Sequence, residues 1–111
     1  MATTITGNGP NLAKRVALDA TAVNCTQITF PSWVRTASLS FYATDGTTAD
    51  GGKITWSGTD GAAIGDDTMQ IGSGGVYGWA CTPGRSQRVE VIYIAALTNS
   101  AYAHLHLSAD D

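Results

Sequence analysis

A chain of 111 residues holds one domain rather than two, and a domain of this length buries roughly 65% of its unfolded surface, so a core is possible without staples. It is 43% apolar and only 14% charged, whereas an average soluble domain carries about 25% charged residues. The net charge of −3, with Lys14, Arg15, Arg35, Lys53, Arg85 and Arg88 scattered, argues against nucleic acid as a partner and against a basic membrane-binding face.

Residues 1–11 are polar, run through Gly9-Pro10-Asn11, and read as an N-terminal arm ahead of a domain over 12–111. They lack the charged start and apolar stretch of a secretory signal, so folding in a reducing cytoplasm is expected. Leu12 to Val23 fits a helical turn or a strand, and the alternation of Val16 and Leu18 favours a strand over Arg15 to Asp19. Thr26 to Phe30 is a second strand, stopped by Pro31. In Thr36 to Tyr42, Ala37, Leu39 and Phe41 share one face, and Ser38, Ser40 and Tyr42 the other.

Ala43 to Gly52 is turn chemistry, with Asp45-Gly46 and Asp50-Gly51-Gly52. Lys53 to Trp56 is a short strand, and Ser57 to Asp67 a long loop. Thr68 to Ile71 and Val76 to Cys81 are strands about a Gly72 to Gly75 hairpin turn, with Tyr77, Trp79 and Cys81 on one face. After a Pro83-Gly84 turn, Arg88 to Ile94 and Ala101 to Leu107 alternate as two neighbouring antiparallel strands joined by Leu97 to Ser100. The longest apolar run, Val89 to Leu97 with Glu90 inside it, is too short to span a bilayer. Seven to eight strands at about ten-residue intervals, without a convincing helix, predict an all-β, single-domain antiparallel β-sandwich or jelly roll.

Candidate chemistry is sparse. His104 and His106 lie on one face of a strand, as a metal pair would, but no third ligand is evident, and a polar outer face opposite Ala103, Leu105 and Leu107 explains them. Asp45, Asp50, Asp60, Asp66 and Asp67 sit in glycine-rich loops of the kind calcium uses, yet no Asp-x-Asp-x-Asp-Gly run exists and turn geometry accounts for each Asp-Gly pair. Gly72-Ser73-Gly74-Gly75 lacks the lysine and helix of a phosphate loop, and no serine stands in a nucleophile elbow. Glu90, the one glutamate, alternates onto the outward face with Arg88 and Ile92. Cys25 and Cys81 read as free, buried thiols. Trp33, Trp56, Trp79 and the tyrosines could form a sugar-stacking platform if two were exposed and coplanar; the alternative is core packing, where a tryptophan buries about 150–250 Å². No catalytic residue, metal ligand or cofactor site is assigned.

The stretch Ile28-Thr29-Phe30-Pro31-Ser32-Trp33-Val34-Arg35-Thr36-Ala37-Ser38-Leu39-Ser40-Phe41, followed by Gly58-Thr59-Asp60-Gly61-Ala62-Ala63-Ile64-Gly65-Asp66-Asp67, resembles small β-sandwich structural proteins of tailed bacteriophages. The resemblance covers about the middle third of the chain and implies a non-enzymatic virion component assembled in the host cytoplasm. It points first to a capsid decoration or cement subunit, present in multiple copies and bound between subunits of the major capsid protein or to other virion proteins. The alternatives are a carbohydrate- or receptor-binding module, and a tail, neck or head-fibre component. Thr3, Thr4, Ile5, Thr6, Asn8, Pro10 and Asn11 of the arm are the expected partner contacts.

Overall fold

The computed structural model describes residues 2–81 and 89–110. Ten strands, and no helix among the described residues, build two packed five-stranded sheets: a β-sandwich. In chain order they are β1 (Thr3–Thr4), β2 (Asn11–Ala17), β3 (Thr26–Thr29), β4 (Thr36–Tyr42), β5 (Ala49–Asp50), β6 (Gly52–Thr55), β7 (Met69–Ile71), β8 (Tyr77–Ala80), β9 (Val91–Ala96) and β10 (Tyr102–Ser108). Eight of them are three residues or longer, which agrees with the number of alternating segments. One sheet runs β1-β3-β9-β6-β7; the other runs β2-β10-β4-β5, with β8 also paired to β4. All pairs are antiparallel except β1 with β3.

Alternation puts the core where expected. Ala37, Leu39 and Phe41 from β4 meet Ala103, Leu105 and Leu107 from β10 on one inner face, and Ile28, Ile54, Ile92 and Ile94 supply the other. Gly52 shows how close the sheets come: a Cβ there would enter the Phe41 ring, so the glycine read as turn chemistry is a packing requirement.

Four expectations are corrected. The strands at 88–94 and 101–107 are not partners, because β9 lies in one sheet between β3 and β6, and β10 in the other between β2 and β4. Each buries its inner residues, so alternation alone could not say which strand lies beside which. Gly72 to Gly75 does form a turn, closed by the Gly75 N–H on the Gly72 carbonyl at 2.9 Å, but it crosses between sheets and joins no hairpin. The first long strand runs over Asn11–Ala17 rather than 15–19, because all seven residues pair with β10. Ile92 is fully buried, so the face it shares with Glu90 is the inner one. The Pro83-Gly84 turn and Arg88 lie outside the described residues.

Candidate functional site

Among the described residues, strand β2 has a neighbour on one side only. Leu18 N–H donates to the Ala101 carbonyl at 3.0 Å, and the Pro10 carbonyl accepts from Ala109 N–H at 2.9 Å. The register between these bonds is unbroken, from Asn11 opposite Ser108 to Ala17 opposite Tyr102. In an antiparallel ladder the backbone groups of successive residues alternate sides. Even-numbered residues of β2 therefore bond to β10, and the N–H and C=O of Ala13, Arg15 and Ala17 point away from it. No backbone bond among the described residues reaches them. Next to this edge is a groove of about 280 Å³, walled by Thr3–Thr6 on one side and Lys14–Ala17 on the other.

The arm is folded onto its own domain. Thr3 and Thr4 pair with Ile28 and Thr29, Ile5 N–H donates to the Thr29 carbonyl at 2.9 Å, and the Ile5 side chain joins the core. Trp33 clamps the return: its indole N–H donates to the Gly7 carbonyl at 3.0 Å, and its ring lies so close to Gly9 that a Cβ there would sit 2.8 Å from it. Of the arm residues singled out from sequence, Thr3, Thr4, Ile5 and Thr6 thus line the groove, Asn8 and Pro10 are exposed, and Asn11 opens β2. The β2 edge itself was missed. Its signal was present: adjacent Lys14 and Arg15 in an alternating segment mark an edge strand, because charge there deters unwanted pairing.

His104 and His106 occupy the outer face of β10, as alternation requires, opposite Ser40 and Ser38 of β4. His104 packs against Tyr42 with ring centroids 4.1 Å apart and the planes tilted by 31°, and Arg15 lies 4.6 Å over the Tyr102 ring. Burial, and after it the Arg15 charge, hold the His104 imidazole below its ordinary pKa, and its Nε2 has no hydrogen-bond partner. His106 is exposed. Among the described residues no three His, Cys, Asp or Glu side chains converge as a metal site needs.

The tryptophans divide between two tasks. Trp33 holds the arm, while Trp56 and Trp79 close the side of the sandwich where β6 faces β8. Both their indole N–H groups donate to the same Glu90 carboxylate oxygen, at 2.7 and 2.9 Å. Trp79 also stacks on Tyr77 and Phe30, with centroids 5.6 and 6.1 Å apart. Trp56 and Trp79 meet edge to face, and only Trp56 of the three tryptophans is exposed, so no exposed coplanar pair of tryptophans forms. A groove of about 360 Å³ beside Trp56 is lined by Thr55, Asp66, Asp67, Thr68 and Met69.

The loop aspartates are also divided. Asp45 caps its turn through Thr47 and Thr48, Asp50 accepts from Thr98, and Asp60 accepts the Gln27 N–H at 2.9 Å, pinning the 57–67 loop to β3. The Asp66 and Asp67 carboxylates have no such partner among the described residues. Both cysteines are free and buried; burial raises both thiol pKa values, Cys81 to about 12 with the Glu90 charge adding to the effect.

No protein-family model and no curated protein matches the chain. A solved structure described under "Bacillus endospore appendages form a novel family of disulfide-linked pili" is similar at 12% identity over 88% of this chain and 84% of that one, with a TM-score of 0.36. A likeness of that size carries no argument about function, and it does not point to phage proteins.

Proposed function

We propose that this chain is a non-enzymatic structural subunit that joins a larger assembly by accepting a partner strand along β2. The observation that carries the reading is the row of outward backbone groups at Ala13, Arg15 and Ala17, on an edge that no strand among the described residues covers. A partner strand laid there would extend the β2-β10-β4 sheet, with main-chain hydrogen bonds supplying affinity. Its side chains would enter the groove between β2 and Thr3–Thr6. The sparse charge of the chain supports the reading as well, since a surface with few charges is poorly defended against association.

The setting we propose is the head of a tailed phage, with the subunit acting as cement between capsid proteins. That choice rests on the sequence resemblance. A subunit of this kind stabilises a shell by burying surface across joints, and many weak contacts add through avidity.

The test is a proline at an outward N–H. Ala13→Pro removes no bond to β10, so the folded state loses little, while the edge loses a donor and gains a ring that blocks a partner. Particles are purified with wild-type or variant chain. The expected result is wild-type chain at a copy number matching the capsid lattice and variant chain absent, with the isolated proteins melting at similar temperatures. Equal retention of the two overturns strand addition, and a wild-type chain found on no particle overturns the virion setting.

A further inference from the structure

Trp56 lies just beyond the end of β6, in register with the inward-facing Gly52 and Ile54, and reaches the core through Trp79, which packs on it. Its orientation is set twice, by the N–H bond to Glu90 and by the 5.6 Å edge-to-face contact with Trp79. Nevertheless 41% of the residue is exposed. A ring fixed by its polar atom and by a neighbouring ring loses little freedom when something stacks on its open surface.

The groove beside it selects one kind of visitor. The face of an indole is the negative pole of its quadrupole and attracts cations. Asp66 and Asp67 are exposed, and neither carboxylate is hydrogen-bonded or ion-paired among the described residues. Among the described residues no Lys, Arg or His lines the groove. Ring and carboxylates therefore favour the same sign of charge, whereas a neutral sugar would draw on neither preference. The volume of about 360 Å³ lies at the small end of the roughly 300–1,000 Å³ that ligand sites span, a size for one head group.

We propose that the Trp56 groove receives an arginine side chain of the docking partner, its guanidinium stacked on the indole and paired with Asp66 or Asp67. Guanidinium fits better than ammonium because it is planar, stacks on aromatic faces and pairs with carboxylates through two parallel hydrogen bonds. The source of the arginine rests on the docking function proposed above; the chemistry of the groove does not.

The probe is N-acetyl-arginine amide, compared with its uncharged isostere N-acetyl-citrulline amide and with methyl glucoside, and read at the indole N–H resonances of the full chain. An exposed cation–π contact together with a surface ion pair amounts to about a tenfold effect on affinity. The arginine probe is expected to shift the Trp56 signal and leave Trp33 unmoved, with citrulline about tenfold weaker. The Asp66→Asn/Asp67→Asn double variant, which changes two exposed side chains, should melt like wild type and lose the binding. Citrulline or glucoside binding as well as arginine, a shift that survives the double variant, or no Trp56 shift at all overturns the assignment. Ala13→Pro protein should bind the arginine probe normally, so failure of this groove and failure of the β2 edge are separable.

Discussion

On the side where β6 faces β8, rings fill the gap between the sheets, and two indoles share one carboxylate oxygen. On the side where β1 faces β2, the gap is a groove, and the outward backbone groups of Ala13, Arg15 and Ala17 along it have no backbone partner among the described residues. The first side packs Phe30, Tyr77 and Trp79 on the core and satisfies both indole N–H groups within the chain. The second sends Ile5 and Val16 into the core but has no cluster of rings, and its large ring, Trp33, holds the arm while packing on the core. A side sealed by side chains should resist opening, leaving only the exposed surface of Trp56 for a visiting side chain, and a side closed only by a short paired arm should be where the domain opens and takes a partner strand.

The sharpest way to break this contrast is at the seal. Trp79→Ala removes the ring that links Phe30, Tyr77 and Trp56, and should cost about 3 kcal/mol in denaturant unfolding. A loss under about 1 kcal/mol would mean the rings sit on the sandwich rather than hold it. Glu90→Ala leaves both indole N–H groups without their acceptor and should cost about 2 kcal/mol, with both indole N–H resonances moving.

How far the sequence revealed this arrangement depended on what each signal encodes. Alternation in Thr36–Tyr42 and Tyr102–Ser108 correctly assigned inner and outer residues, because a pleated strand has no other way to place them. It also put Tyr77 and Trp79 on a common face. Alternation says nothing about which sheet a strand joins, so β9 and β10 were paired wrongly. It also leaves the sign of a face open when polar and apolar residues share it: Glu90 and Ile92 were grouped correctly and sent outward, although the isoleucine is fully buried. A carboxylate can sit at the end of a core when donors meet it, and those donors are indoles more than ten residues away in sequence. The unpaired β2 edge depends on strand order, which alternation does not contain; only the adjacent charges of Lys14 and Arg15 point to it in the sequence.

The arm side is tested next, with a smaller effect. Trp33→Phe keeps a ring against Gly9 and deletes the N–H bond to the Gly7 carbonyl. About 1 kcal/mol should be lost, concentrated in the arm. Amide exchange at Ile5, whose N–H reaches Thr29 at 2.9 Å, should quicken while that of Leu39 and Ile94 in the central strands stays slow. Uniform quickening of all three would show that the arm and the sandwich open as one unit, and the contrast between the two sides would fail.

The smallest expected effect comes from acid. Asp45 accepts hydrogen bonds from the Thr48 hydroxyl and from the Thr48 and Thr47 amides, which lower its pKa to about 2. The loop it caps leans on the open side, since a Cβ on Gly46 would lie 2.9 Å from the Arg15 guanidinium. A carboxyl with a depressed folded pKa contributes stability that is fully present above its unfolded value of about 3.9 and disappears as pH falls through the folded value. The Thr47 and Thr48 amide signals should therefore hold their positions from neutral pH down to about pH 3 and move together near pH 2. The Arg15 side-chain signals should follow them, and those of the Trp56 and Trp79 indoles should not. If the indoles move at the same pH, the loop and the aromatic seal are coupled, and the two sides of the sandwich do not respond independently.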